Sequence, residues 1–262
     1  MTLLSVVRDV CAATGVAIPQ SVFSNITGNR TMQEMLSLAN EMAQRIAYDT
    51  REWTKLKTTV TYTGDAVWTG QPLSALPADQ VWVGGTSAWS LPANFKRMLL
   101  TTSVWRTPLV SVPMRFIPDT DEWLNRRASN ATHSGSGEWT IYGGQIHIFP
   151  IMYGIKPAFS SSPAMPAETA YFTYLDKNCI NLTSGGRGDE FMNDADTFVL
   201  DDRLLKLAMI YQWKAQKGSS YAEDMSTFGD ALAIAMGHDV PAPIFIDRKP
   251  IASGFAYPWA TP

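Results

Sequence analysis

The sequence of 262 residues has few of the residue types from which reactive centres and disulfide scaffolds are built. Its two cysteines, Cys11 and Cys179, lie far apart and form no CxxC spacing. Its three histidines, His133, His147 and His238, are scattered singly along the chain. We therefore expect no disulfide framework, no zinc site and no histidine-based nucleophile system. Assembly in a reducing cytosol is the corresponding expectation for the thiols.

Positive charge and long apolar runs are also scarce. Lysine and arginine number 21 against 24 aspartates and glutamates, which gives a net charge of −3 without a basic cluster. Tight binding to phosphate backbones is therefore not expected. No apolar run approaches the roughly 20 residues of a membrane helix, and the first residues lack the basic and apolar regions of a signal peptide. We expect no membrane partner.

Motifs for phosphate loops, dinucleotide binding, zinc peptidases and serine hydrolases are absent, so we expect no cofactor and no enzyme of those classes. One acidic set remains, because paired carboxylates can serve as acid and nucleophile in glycan hydrolysis or bind a divalent cation. Its members are Asp194, Asp196, Asp201 and Asp202. The favoured interpretation is that these side chains cap helices and form ion pairs. A phage-borne glycan hydrolase that uses them stays open as an alternative.

Tryptophan is abundant, and seven of the nine tryptophans lie between Trp53 and Trp139. Exposed indoles can stack on sugars, which keeps a carbohydrate-binding module as a further alternative. Indoles equally fill β cores and subunit contacts, and we favour that interpretation.

Helical and alternating periodicities divide the chain. Helical spacing predicts helices over 2–14 and from a capping box at Thr31 and Glu34 to about Trp53. Alternation then predicts antiparallel strands, with a short helix between them at 119–128. The predicted strands are 57–63, 98–105, 109–116, 139–142, 145–149 and 169–176, with short ones near Val81 and Trp89. Gly143-Gly144 is a hairpin signal, and His147 is expected to be exposed or half-buried on its strand.

The pattern of residues 191–237 predicts a helical hairpin. Its apolar residues are too many to lie on a single face of each helix. Asp201 is placed as the N-cap of its first helix, Gly218 ends that helix, and Ser220 with Glu223 forms a capping box for the second. A second apolar face lies beside the main stripe of the first helix. Because a helix that is apolar on two faces must be buried on two faces, we expect this second face to contact a neighbouring subunit. Its residues are Leu205, Met209, Ile210 and Trp213. An ordinary core within one chain is the alternative.

The sequence therefore predicts an α+β fold in four parts: 1–55 (helices), 56–190 (an inserted β-rich domain), 191–237 (the helical hairpin) and 238–262 (an extended C-terminal arm). The two helical parts are expected to pack together. Five prolines forbid regular structure in the C-terminal arm, yet its large apolar residues suit a groove on another protein. They are Ile244, Phe245, Phe255, Tyr257 and Trp259. An arm wrapped on its own domain is the alternative.

Several short motifs occur in a fixed order and resemble the head-to-tail adaptor proteins of short-tailed bacteriophages, also called connector or tail tubular proteins. The resemblance is loose and runs over about residues 1–236. The motifs are Leu91-Pro-x-x-Phe95, Gly143-Gly-x-Ile146-x-Ile148-x-Pro150, Phe191-x-x-Asp194-x-Asp196-Thr197, Leu204-Leu205 and Trp213-Lys214-x-x-Lys217-Gly218-x-x-Tyr221-Ala222.

The resemblance implies a structural virion protein without enzymatic activity. Such adaptors form a homo-oligomeric ring, usually of twelve copies, that joins the portal to the tail at the head-tail interface. Their helices surround the channel through which genomic DNA passes without sequence-specific binding, and the C-terminal segment reaches the portal. The β-rich part would face a tail tube or nozzle protein and could seat tail fibres. The four second-face residues would contact the next subunit, and the apolar residues of the C-terminal arm would contact the portal.

Overall fold

The computed structural model describes residues 1–24, 28–68, 82–100, 102–107, 112–129, 136–155 and 164–239. The helices are α1 (Leu3–Thr14), α2 (Arg30–Tyr48), α3 (Thr120–Ala128), α4 (Asp202–Gln216) and α5 (Ala222–His238), and a 3₁₀ turn spans Thr54–Leu56. The strands are β1 (Lys57–Thr63), β2 (Val67–Trp68), β3 (Trp82–Val83), β4 (Ala88–Ser90), β5 (Phe95–Met98), β6 (Trp105–Thr107), β7 (Arg115–Phe116), β8 (Glu138–Tyr142), β9 (Gln145–Phe149), β10 (Thr169–Asp176), β11 (Ile180–Asn181), β12 (Arg187–Gly188) and β13 (Thr197–Phe198). The predicted α+β class is confirmed, because α1 and α2 pack against the C-terminal pair α4 and α5, with the sheets between them in sequence.

The ends of α2 differ from the prediction. The side chain of Asn29 accepts hydrogen bonds from the backbone N–H groups of Thr31 and Met32, so Asn29 is the N-cap and the predicted capping box at Thr31 is wrong. Glu34 instead forms ion pairs with Arg30 and Lys217. The helix also ends at Tyr48, before Trp53.

The first sheet is organised around β10. Strand β1 pairs with β10 in antiparallel register along its whole length, from Lys57 opposite Leu175 to Thr63 opposite Thr169. Strands β5 and β6 pair with the other edge of β10, one near each end. The predicted strand over 98–105 is therefore wrong, because its two ends belong to different strands.

The second sheet has the order β4-β9-β8-β7 and contains the predicted hairpin. Gly143 and Gly144 both have positive φ, 59° and 72°, as a two-residue turn of this kind requires. Strand β7 pairs with β8 in parallel, so the β region is not purely antiparallel as predicted. Helix α3 begins after Asp119, whose side chain accepts from the N–H of Asp121.

Buried hydrophobic residues of the described chain form three clusters, and β10 contributes to the two larger ones. Phe172 and Tyr174 lie in the core between the sheets, whereas the adjacent Leu175 lies in the helical core. The free thiols of Cys11 and Cys179 are also buried in the helical core. Burial raises the pKa of Cys179 to about 11, so both thiols are poor nucleophiles in the folded chain.

Gly64 marks a close approach of two chain segments in the β region. A Cβ atom at this position would meet the carbonyl oxygen of Tyr153 and would lie 2.7 Å from that of Met152. Because backbone atoms must shift to admit a methyl group there, we expect Gly64→Ala to lower the free energy of unfolding by about 2–3 kcal/mol. Urea denaturation measures this, and Gly28→Ala is the control, since a Cβ there meets nothing within 4 Å. Equal stability of the two variants would contradict the close approach.

His147 is more buried than predicted, with 9% of its surface exposed, and its ring stacks on Tyr142 at 3.8 Å. Burial lowers the pKa of His147, the positive charge of Arg127 lowers it further, and the backbone of Tyr142 opposes both effects. The unfolded chain therefore takes up this proton at a higher pH than the folded chain. The contribution of neutral His147 to the free energy of unfolding is therefore fully present above about pH 6.5, and it is lost as the pH falls below that value. His147→Gln is expected to flatten the dependence of unfolding free energy on pH between about 7.5 and 5. Identical pH profiles of the two proteins would contradict this assignment.

Candidate assembly surface

Helix α4 occupies the middle of the helical body. Its N-cap is Asp201, as predicted, whose side chain accepts from the N–H of Arg203 at 2.8 Å. Gly218, with a φ of 70°, follows its last turn. Helices α1, α2 and α5 all pack against α4. A helix in this position is enclosed by its own chain.

The four side chains predicted to contact a neighbouring subunit lie inside this body. Their exposed fractions are at most 8%, and they are Leu205, Met209, Ile210 and Trp213. The need for burial on two faces was inferred correctly from the sequence, but the covering helices belong to the same chain. As folded, these four residues offer almost no surface to another subunit, which corrects the expectation placed on them.

Exposed apolar residues occur on α5, as they also do at several places in the β region. Of its seventeen residues only Ala231 is buried. Phe228 packs on Tyr211 of α4 at 5.2 Å, and Lys214 holds the first turn through an ion pair with Asp224 at 2.6 Å. The predicted capping box at Ser220 is wrong, because the N-cap is Tyr221 and its side chain makes no capping hydrogen bond. One side of α5 thus rests on α4, and the other side is open.

The open side carries a stripe of small residues, which we call the α5 outer face. Its members are Ala222, Ser226, Gly229, Ala233 and Gly237, all exposed. Met225 and Ile234 flank it with exposed fractions of 54% and 59%, and Asp230 lies beside it, midway along the helix. A Cβ atom on Gly229 would meet nothing within 4 Å. Since a glycine inside a helix costs about 1 kcal/mol relative to alanine, no packing within the described chain explains this residue.

The end of α5 is fixed to the start of the β region. The carboxylate of Asp239 accepts the N–H of Thr54 at 3.0 Å, and its carbonyl oxygen accepts the Thr54 hydroxyl at 3.0 Å. Arg51 forms an ion pair with Asp239 and donates to the carbonyl oxygen of Met236. Asp239, the last residue that the structure describes, is therefore held in place on the body. The residues predicted to bind the portal lie outside the described part of the chain: Ile244, Phe245, Phe255, Tyr257 and Trp259.

The acidic set organises loops. Asp196 is 1% exposed, and its two carboxylate oxygens accept from the N–H and hydroxyl of Thr183 and from the N–H groups of Met192 and Asn193, at 2.7–2.9 Å. Burial alone would raise the pKa of Asp196, but these donors outweigh it and hold the pKa below its usual value. Asp194 accepts from the Ser21 hydroxyl and, at 2.9 Å, from the N–H of Val22.

The other two members of the acidic set also have structural partners. Asp201 caps α4, and Asp202 binds the terminal amino group of Met1. Among the residues that the structure describes, no three histidine, cysteine, aspartate or glutamate side chains are grouped so as to hold a metal ion. The loop contacts of Asp194 and Asp196 could not be predicted from the sequence. Some of their donors are close in sequence, such as Asn193, but others are far away, such as Val22.

The five central tryptophans whose burial the structure describes fill the interior more than the surface. Trp53, Trp123 and Trp139 are buried, and Trp89 and Trp105 are half-buried. The indole N–H of Trp53 donates to the carbonyl oxygen of Ile46 at 2.7 Å. These five rings therefore contribute to packing within the fold.

The exposed side of α2 bears two adjoining polar depressions of about 520 and 450 Å³. Gln33, Ser37 and Glu41 line both of them, and Gln212 and Gln216 of α4 complete the second. Glu41 pairs with Arg45, and Glu190 adds a further carboxylate to the first depression. Amides and carboxylates make this a surface with weak attraction for phosphate.

Within the described ranges, no helix combines the length and the apolar character needed to cross a bilayer. No protein-family model matches the sequence, and comparison with curated proteins gives no significant match.

Proposed function

We propose that this chain is a structural virion protein, a head-to-tail adaptor that forms a ring, of about twelve copies by its resemblance, between the portal and the tail. The observation that carries the proposal is the set of exposed apolar residues on α5, Tyr221, Met225 and Ile234. Ala231 is the one buried residue of helix α5, and the sequence that follows this helix is rich in large apolar residues. Apolar surface of this extent on a folded chain is typical of a protein that assembles with others.

The rigid exit point at Asp239 supports the same function. An arm held at its base by Thr54 and Arg51 leaves the body at the same place in every copy. A ring of such copies presents identical arms in a circle, which suits a partner that is itself a ring. The portal contacts are proposed to be those predicted from the sequence, led by Phe245, Phe255 and Trp259.

The contact between subunits is proposed to involve the flanks of the α5 outer face. Met225 and Ile234 are exposed there, whereas the four residues expected from the sequence are enclosed. Fully burying an apolar side chain of this size contributes about 1.5–3 kcal/mol, so a few such contacts repeated around a ring give a stable joint.

The polar side of α2 suits the lining of a DNA channel. Its lining consists of amides, carboxylates and the paired Arg45, so it offers no unpaired cation that would hold phosphate. DNA could therefore pass such a surface without being retained. The net charge of −3 agrees with this role.

The function is tested by mixing the full-length chain with the portal ring encoded in the same genome and measuring the complex by native mass spectrometry. We expect the portal to acquire a ring of copies. Replacing Phe255 and Trp259 together with alanine should weaken binding by at least about tenfold, because two buried aromatic contacts are lost. The matched control is Leu100→Ala, which truncates a side chain that is 88% exposed in the β region. Absence of a complex with the unmodified chain, or equal binding by the double variant, would contradict the proposal.

A further inference from the structure

The outer side of the first sheet, turned away from the core between the sheets, is polar and carries a regular array of threonines. We call it the threonine face. The register of β1, β10 and β6 arranges it in rows across the strands: Thr59 beside Thr173, then Thr61, Tyr171 and Trp105, then Thr63, Thr169 and Thr107. All of these residues are exposed or half-buried, whereas the alternate residues Tyr62, Ala170 and Phe172 lie in the core.

The hydroxyl groups of the threonine face are held in defined positions. The hydroxyl oxygens of Thr59 and Thr173 lie 3.2 Å apart, and those of Thr107 and Thr169 lie 2.6 Å apart. In the first pair one hydroxyl donates to the other, which leaves the proton of the second free to bind a ligand. Each hydroxyl oxygen has two acceptor lone pairs, so both pairs keep unused hydrogen-bonding capacity.

Two aromatic rings lie in the middle row of the threonine face. Trp105 on β6 is directly opposite Tyr171 on β10, and both are half-buried. Trp89, which is also half-buried, packs instead against the core between the sheets. Because tyrosine and tryptophan combine an apolar ring with a polar group, this row adds stacking surface to a face lined by hydroxyls.

The charge and polarity of the threonine face restrict what can bind there. Its nearest charged residue in register is Lys57, at the end of β1 that lies beside the helical body. Nucleic acid is disfavoured because phosphates need several cations, and an apolar partner needs a larger apolar patch. A second sheet packed on this face would remove the threonine hydroxyls from water, which costs free energy. The remaining class of ligand is neutral and rich in hydroxyl groups.

We propose that the threonine face binds a neutral glycan chain, with sugar rings on Tyr171 and Trp105 and sugar hydroxyls bonded to the threonines. The face is roughly 13 Å long from Thr59 to Thr63 and roughly 10 Å wide across the strands, which accommodates a short oligosaccharide. Because an open face buries less of a ligand than a pocket does, we expect a Kd on the order of 1 mM. The proposal goes beyond the adaptor function and does not depend on ring formation.

Saturation-transfer difference NMR on the full-length chain tests this binding, with maltohexaose, cellohexaose and mannohexaose as probes. We expect transfer from the protein to the ring protons of at least one probe. Tyr171→Thr removes the ring and keeps a residue that suits a strand, so it should weaken binding at least about fivefold. Thr61→Lys places a long charged side chain beside Tyr171 and should also weaken binding. The matched control is Thr227→Lys, the same change at an exposed threonine of α5, and it should leave binding unchanged.

The outcomes separate a glycan site from the other possibilities. Weaker binding in both variants, at urea midpoints that show them folded, supports the proposal. No transfer to any of the hexasaccharides from the unmodified chain would overturn it, as would unchanged binding in either variant. Sedimentation without sugar is the second measurement, and a dimer that Thr61→Lys dissociates would place another copy on this face and overturn the proposal. None of these outcomes involves the portal, so the glycan site and the adaptor function can fail separately.

Discussion

Trp213→Ala is expected to lower the free energy of unfolding of the isolated chain by about 3–5 kcal/mol. The side chain is 5% exposed and lies in the core formed by α1, α2, α4 and α5. Lys217 lies over its ring with the ammonium nitrogen 4.5 Å from the ring centroid. Removal of the indole leaves a cavity that this tightly packed body can fill only in part.

Urea denaturation followed by far-ultraviolet circular dichroism measures this loss without relying on tryptophan fluorescence. The control is Met225→Ala, which truncates a residue that is 54% exposed on α5 and should change stability by less than about 0.5 kcal/mol. If Trp213→Ala proves as stable as Met225→Ala, the indole is not part of the core of the protomer. A contact between subunits would then be the better account of this residue.

Asp196→Ala is expected to lower the free energy of unfolding by about 3–5 kcal/mol, because buried donors lose a charged acceptor. The N–H groups of Thr183, Met192 and Asn193 all point at this carboxylate. The same loop holds the first turn of α1, since the N–H of Leu3 donates to the carbonyl oxygen of Asp196 at 2.8 Å. Loss of the carboxylate should therefore also loosen the start of α1.

The pH dependence of stability gives a second measurement on this variant. The folded chain holds the pKa of Asp196 below its ordinary value of 3.8, so the unfolded chain binds this proton at a higher pH. The stabilisation is complete above the unfolded pKa and is lost as the pH falls below about 4. The unfolding free energies of the two proteins should therefore converge on acidification. A constant difference from pH 6 to 3 would contradict the role of the charge, and Asp230→Ala is the exposed control.

The sequence was most informative where local chemistry decides the structure. Asp201 as an N-cap, Gly143-Gly144 as a turn and the alternation of 169–176 each depend on a few adjacent residues, and the structure confirms all three. The predicted capping box at Thr31 failed because another residue caps the helix. A capping residue competes with its neighbours for the same N–H groups, and Asn29 reaches those of α2 before Thr31 can.

Long-range pairing could not be predicted from the sequence. Strands β5 and β6 both pair with β10, which lies more than sixty residues further along the chain. Alternation fixes which side chains share a face, but it does not identify the partner strand. The predicted strand over 98–105 was therefore a local interpretation that tertiary pairing overrode, because Met98 and Trp105 belong to different strands.

The same limit applies to the assembly surface. The composition of α4 showed how much apolar surface had to be covered, but it could not show what covers it. Helices from both ends of the chain supply that cover, and Leu205 and Met209 lie beneath them. The second helix of the hairpin, whose apolar pattern looked more ordinary, is the one left open. Only its position on the outside of the body distinguishes Met225 from Met209.

Strand β10 gives the molecule a mechanical property. It and β1 leave the helical body side by side, because Leu175 lies in the helical core while the paired ends Thr63 and Thr169 lie at the far end of the ladder. Tension between body and sheets is thus carried by two covalent backbones in parallel, and their hydrogen bonds resist bending. A torque applied to the sheets would therefore be transmitted to the helices with little bending at the β1–β10 junction.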